Sequence, residues 1–329
     1  MSRLTVAPEA LRIGGVTVLP GETKRTEIHI ADLPTQGSMA LPVVVIHGEH
    51  PGPRIWISAA IHGDEVNGVE IVRKVIRVVD AKHLHGALLA VPIVNVFGFI
   101  NESRYLPDRR DLNRCFPGTR RGSMASRLAR IFMDEVVGNC ELGIDLHTAC
   151  IRNENLPQIR ADLGDPGTRR LAKAFGAPVY LHSRVRDGSL REAAVKRGIK
   201  VLLYEAGEPL KFDEHCINIG YRGVLRVMAA LDMIHGRGIS SAELKSQELR
   251  QSRWVRAPSS GILRLSVETG DFVAKGEIIG AISDAFGEDN HVLKAPSDGI
   301  VIGLSTNPLV SQGGALVHLG LVRHKELVH

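Results

Sequence analysis

The chain is poor in aromatic side chains: only 4% of its 329 residues are Phe, Trp or Tyr. Proteins that grip single-stranded nucleic acid stack bases on such rings, so few platforms exist for that task. Long blocks of one charge are missing too. The net charge is +5 and the pI is about 9.1, but the basic residues are interspersed with acids. No nucleic-acid partner is expected, and a mild positive field suits small anionic ligands. Cysteine is sparse. Cys115, Cys140, Cys150 and Cys216 show neither CxxC spacing nor the density of a disulfide framework, the usage of a reduced, cytoplasmic protein. No apolar run approaches the roughly 18 residues that a membrane helix needs. The opening "MSRLTVAPEALRIGG" lacks the cationic and apolar regions of a secretion signal. Neither membrane association nor secretion is expected.

What is present is the composition of an ordinary globular protein, 44% apolar and 23% charged, long enough for two domains. From about residue 13 to 61 the text reads as strands, "VTVLP", "RTEIHIA", "ALPVVVIHG" and "IWISAAI", separated by Gly-Pro punctuation such as "GEHPGPR". "VNGVEIVRKVIRVVD" places Val69, Val72, Val75, Ile76 and Val79 at a helical period. "GALLAVPIVN", "LGIDLHT" and "KVLLYEAGE" read as strands, with "MASRLARIFMDEVV" and "LREAAVKRG" as helices between them. This alternation predicts an α/β domain around a largely buried sheet. A last helix, "NIGYRGVLRVMAALDMI", leads into the polar stretch "HGRGISSAELKSQELRQSR", the expected boundary. A domain over residues 1–250 and a second over 254–329 are predicted.

The second domain changes texture to short strands rich in glycine. "APSSGIL" at 257–263 recurs as "APSDGIV" at 295–301, and Gly276 falls on Gly314 at the same offset. This pseudo-symmetric β module resembles the lipoyl/biotinyl hammerhead, a flattened barrel sandwich. The link "ISDAFGEDNHVLK" has no Met-Lys-Met-like element. Lys294, just before the second repeat, is expected on a strand and not at a hairpin tip. An unmodified module is predicted, packed beside the catalytic cleft or between subunits.

The chemistry is concentrated in "IWISAAIHGDEVNG", 55–68, where an apolar strand ends on a histidine and two acids. His62 and Glu65, three apart at a strand-to-helix turn, can converge on one point. Imidazole and carboxylate are ordinary zinc ligands, and catalytic zinc takes three protein groups plus water. His147 ends another apolar strand and is the candidate third ligand. Asp145, two residues earlier, can accept the other ring N–H of a ligating histidine. Asp64 is read as a local turn or capping group.

"HGDEVNG", "RDLNRCFPG", "DLHT" and "YEAGE", in this order, resemble the succinylglutamate desuccinylase/aspartoacylase family, a branch of the zinc carboxypeptidase-like fold. The resemblance covers roughly residues 40 to 235. It implies a mixed, mostly parallel eight-stranded sheet flanked by helices, and one Zn2+ per chain held by His62, Glu65 and His147. It also implies Glu205 as general base and acid, with Glu208 the nearest competitor. Asn113 and Arg114 match the family's pair that grips the substrate carboxylate. Arg104 resembles the arginine that stabilises the oxyanion, with Arg110 as rival. Arg191 resembles a second carboxylate-binding arginine.

The expected activity is zinc-dependent removal of an acyl group from a small anionic N-acyl amino acid or similar amide. A zinc carboxypeptidase acting on peptides, or a non-catalytic carrier, is the alternative. A homo-oligomer is compatible with the sequence.

Overall fold

The computed structural model describes residues 8–32, 36–235, 246–288 and 291–322. The expected boundary stretch falls largely on residues 236–245, outside the described residues. A short hairpin pairs Leu11–Ile13 (β1) with Val16–Val18 (β2). Thr23–Asp32 (β3), Ser38–His47 (β4) and His50–Ala59 (β5) follow, then helix Asn67–Val78 (α1) and strand His85–Val91 (β6). Helices Val96–Ile100 (α2) and Met124–Glu135 (α3) precede strands Leu142–His147 (β7) and Asn153–Ala161 (β8). Pro166–Phe175 (α4), Val179–His182 (β9), Leu190–Val195 (α5), Lys200–Gly207 (β10) and Glu214–Ala230 (α6) complete the α/β region.

The strands β3 to β10 form a mixed sheet. Its centre, β6-β5-β7-β10, is parallel, and β3, β4 and β8 join antiparallel. The parallel strands are buried on both faces, which is why they read as continuous apolar runs. Alternate side chains serve different layers. Ile55, Ile57, Ile144 and Leu146 pack with Val72 and Val75 of α1, Phe175 of α4 and Val224 of α6. Trp56, Leu89 and Val201 pack with Phe132 of α3 and Ala194 of α5.

One expectation needs correcting. "GEHPGPR" reads as a separator, yet β5 begins at His50 and runs through both prolines. The pairing with β6 skips from His50 to Arg54, and pairing with β7 starts only at Ile55. The prolines thus occupy an irregular stretch with one open side, where a missing N–H removes no ladder bond.

After the α/β region come Gln247–Leu249 (β11), Ser252–Arg256 (β12), Gly261–Leu265 (β13), Phe272–Val273 (β14) and Ile278–Ser283 (β15). His291–Lys294 (β16), Gly299–Ser305 (β17), Leu309–Val310 (β18) and Ala315–Leu321 (β19) end the described chain. A four-stranded antiparallel sheet, β16-β15-β13-β18, lies over β12, β19, β17 and β14. Leu263, Ile279, Ile282 and Leu293 meet Val301, Leu316, Val317 and Leu319 between the layers. The repeat has a physical meaning: Ala257 N–H donates to Gly314 O, and Gly276 N–H donates to Ala295 O, both at 2.8 Å. The alanine of each copy thus binds the glycine of the other.

The module is not a separate body. β17 pairs antiparallel with β8, setting Gly303 opposite Asn155, so the large sheet runs from β3 through β8 into β17, β19 and β12. Lys294 lies on β16, paired with Ile278. Among the described residues, no helix is long and apolar enough to cross a membrane.

Candidate metal centre and active site

Parallel strands deliver their side chains to one edge of the sheet. β5 leads into His62 and Glu65, and β7 ends on His147, which pairs in register with Glu205 of β10. Ala60 adopts a left-handed φ of 51°, an uncommon conformation for a side chain with a Cβ, just before the two potential ligands. Gly63 admits no side chain, because a Cβ there would collide with the backbone of Gly98 and Phe99. The loop is thereby pressed onto α2.

His62, Glu65 and His147 are all buried, and one donor atom of each lies within 4.8 Å of the others. Glu65 Oε1 is 2.7 Å from His62 Nδ1, and Oε2 is 2.7 Å from His147 Nδ1. Thr148 N–H donates to Oε2 at 3.1 Å. The outer ring nitrogens face two further carboxylates. His147 Nε2 donates to Asp145 Oδ2 at 2.8 Å, and Asp145 Oδ1 accepts from Ser58 Oγ at 2.7 Å. His62 Nε2 lies 3.3 Å from Asp111 Oδ1. Burial alone would raise the Glu65 carboxyl, but His62 and His147 overcome it and hold the group well below the usual carboxylate range. Burial likewise opposes charge on His147, yet Asp145 and Glu65 raise its pKa well above the usual value.

Three carboxylates around two imidazoles make a buried site arranged for positive charge. Both Nδ1 atoms face the shared Glu65. Asp145 fixes the His147 ring from behind, as carboxylates do for metal-bound histidines. Nitrogen and carboxylate donors suit zinc, so the residues fit the expected ion. Asp64 is buried but lies outside this cluster; its carbonyl accepts from Leu210 N–H at 2.8 Å.

The cluster opens into a cavity of about 500 Å³ lined by Arg104, Arg114, Arg160, Arg186 and Arg191, with Glu205 among them. Arg104 donates to Asp111 Oδ2 from Nε at 3.2 Å and Nη2 at 2.9 Å, while Nη1 reaches Glu65 Oε1 at 3.5 Å. Its rival Arg110 is exposed and lies 3.9 Å from Asp108. Asn113 and Arg114 both line the cavity, but Asn113 Oδ1 is taken by Leu190 N–H at 2.9 Å, which ties the loop to α5. Arg191 is buried and donates from Nη2 to Arg184 O at 2.7 Å and Ser183 Oγ at 3.1 Å. Its Nη1 is buried without a partner. Burial, with Arg160 and Arg186 nearby, pushes its pKa down to about 10.

Glu205 Oε2 accepts from Asn155 Nδ2 at 2.6 Å and lies 3.3 Å from Arg160 Nη2. Glu208 does not line the cavity and accepts from Lys211 at 2.8 Å. The site also holds residues that sequence reasoning missed. Asp111 stood inside the quoted "RDLNR", and its place beside the Asn-Arg pair was a usable signal. Asn155, Arg160 and Arg186 carried none. Trp254 and Ala315 come from the C-terminal module and line the same cavity. The Trp254 ring stacks on His318, centroids 4.4 Å apart and planes 9° from parallel.

Comparison with known proteins fits this geometry. The model of the succinylglutamate desuccinylase/aspartoacylase catalytic domain matches residues 51–231. The chain belongs to this family. A curated relative, the N-alpha-acetyl-L-2,4-diaminobutyric acid deacetylase of Halomonas elongata, is 27% identical over 265 residues, 75% of each chain. The succinylglutamate desuccinylase of Burkholderia cenocepacia is 33% identical over 147 residues, 39% of this chain and 42% of that protein. Among solved structures, a succinylglutamate desuccinylase/aspartoacylase from Rhodobacter sphaeroides superposes with a TM-score of 0.82 at 25% identity, covering 92% of this chain and 96% of that one. These family members are deacylases by name, and the shared fold extends across the C-terminal module.

Proposed function

We propose that the protein is a zinc-dependent deacylase that hydrolyses the linear amide of a small N-acyl amino acid bearing a second anionic group. The convergence of His62, Glu65 and His147 beside Glu205, in a cavity lined by five arginines, carries this reading. His62, Glu65 and His147 would hold the ion, with Asp145 fixing one ring. Zinc, when bound, would polarise the scissile carbonyl and acidify water.

The chain's own residues do the rest. Glu205 takes a proton from the attacking water as the new C–O bond forms, and delivers it to the amine nitrogen as the C–N bond breaks. Arg104, held by Asp111, stands beside Glu65 where it can meet the negative charge developing on the carbonyl oxygen. Arg114 binds the α-carboxylate through its guanidinium, with Asn113 setting the loop. Arg191, buried with an unpartnered nitrogen, takes the second anion. The substrate named for the Halomonas relative keeps a free amino group, which the unpartnered guanidinium nitrogen of Arg191 would not bind. An N-acyl amino acid with an anionic side chain suits that nitrogen better. The four free cysteines suit action in the cytoplasm.

The test is a panel of N-acyl amino acids, mono- and dianionic, given to zinc-loaded protein while free amine is followed. Release from dianionic members, lost on chelation and regained with zinc, is the expected result. No release from any member by fully zinc-loaded protein would sink the proposal. Glu205→Gln should keep its zinc and lose roughly 10²–10⁴ in turnover.

A further inference from the structure

The carboxylate of Glu205 is held by a residue that the C-terminal module itself keeps in place. We infer that Asn155 is a positioning residue for Glu205, and that Gly303 of β17 is the surface against which Asn155 is set. The inference rests on the reading of Glu205 as the proton carrier.

Asn155 is 7% exposed, and its amide approaches Glu205 Oε2 at 2.6 Å. The amide nitrogen of Asn155 donates this bond, and the carboxylate oxygen accepts it. Arg160 meets the same oxygen. Oε1 accepts nothing from the described residues and is the oxygen free to take a proton. Holding one oxygen fixes the direction of the other.

What fixes Asn155 is its place in the sheet. In register it faces Gly207 of β10 on one side and Gly303 of β17 on the other. The pairing with β10 is irregular between Glu205 and Gly207, which brings Asn155 beside the acid. On the module side, a Cβ at Gly303 would stand 2.6 Å from Asn155 Oδ1 and 3.2 Å from Glu154 O. The backbone of Gly303 lies outside the left-handed region, so glycine is not needed there for its φ. It is needed for the space that the Asn155 amide occupies. The module is locked to this strand by further bonds: Gln158 Nε2 to Ile302 O at 2.8 Å, Thr269 Oγ1 to Glu154 Oε1 at 2.9 Å, and Thr306 N to Arg152 O at 2.9 Å.

The test is a double-mutant cycle on the full-length, zinc-loaded enzyme, using the best N-acyl amino acid of the panel. Gly303→Ala adds a methyl whose nearest neighbour is the end of a side chain, so the fold absorbs it by moving Asn155. A displacement of about 1 Å near reacting groups can cost up to roughly 10²-fold in rate. Asn155→Ala should therefore lower kcat roughly 10- to 100-fold, with KM and zinc content within about two-fold of the parent. Gly303→Ala should lower kcat about 10-fold in the parent, but less than about two-fold in the Asn155→Ala background, because its effect passes through the missing amide. Additive losses, or an unchanged kcat in Asn155→Ala, would overturn the inference. Glu205→Gln is measured alongside. If it loses turnover while the cycle is additive, only the positioning role falls. If it turns over like the parent, the role of Glu205 falls and this inference with it.

Discussion

The two halves of this molecule build one site by different means. The α/β region places reactive groups at the ends of buried parallel strands, where the chain leaves the sheet and side chains can converge. Among the described residues, the C-terminal module contributes no member of the His62, Glu65 and His147 cluster and no acid to the cavity wall. It brings a tryptophan and an alanine to the cavity wall and a bare glycine against Asn155. Reactive groups are thus fixed by where strands stop, while shape and alignment are fixed by where strands meet.

The sharpest way to test that division is to remove a group from the first half. His147→Ala takes one of three donors from the cluster and leaves Glu65 and Asp145 facing a void. Metal analysis should find far less zinc than in the parent, and activity should be lost altogether. Full zinc occupancy in that variant would overturn the ligand set.

Arg191→Ala is the next largest effect expected. Truncating one partner of a buried charge pair costs roughly 2–5 kcal/mol, so kcat/KM for dianionic substrates should drop at least about 30-fold. Monoanionic analogues should change much less, and equal losses for both classes would remove Arg191 from specificity. Asp145→Asn tests the support behind the metal cluster. Loss of such a carboxylate typically costs 10- to 100-fold in metal affinity or activity, readable by competition with a chelating dye. Trp254→Ala tests the second half directly. Opening the wall should alter KM for bulky acyl groups by roughly several-fold, a pocket effect of about one methylene or two, while kcat on the smallest acyl group stays put. A fall in kcat for every substrate would place Trp254 in the chemistry and blur the comparison.

The sequence made the first half far more legible than the second. His62, Glu65, His147 and Glu205 stand at the ends of apolar runs, and a run that stops on a polar group announces itself. Spacing alone left Arg104 beside Arg110 and Glu205 beside Glu208; in the structure Arg104 and Glu205 line the cavity, while Arg110 is exposed near Asp108 and Glu208 accepts from Lys211. β8 stayed silent for a physical reason. "NENLPQIRA" is polar and carries Pro157, so it reads as loop, and its strand character comes from neighbours on both sides, β10 on one and β17 and β9 on the other. Asn155 and Arg160 lie on it and were invisible for the same reason. The module's repeat disclosed its fold, but nothing in a repeat says which strand of another domain it will extend.

The pairing of β17 with β8 also orders events in time. Gln158 and the Ile302 carbonyl that it binds are 144 residues apart, so β8 is synthesised long before its partner. At about 5–20 residues per second, the interval is roughly seven to thirty seconds. Throughout it, β9 covers residues 158–161 of β8 while residues 153–155 present an open edge of the kind that recruits foreign strands. Until β17 is made, Asn155 lacks the strand that sets Gly303 opposite it. The window before β17 is made is therefore when this chain most needs a chaperone.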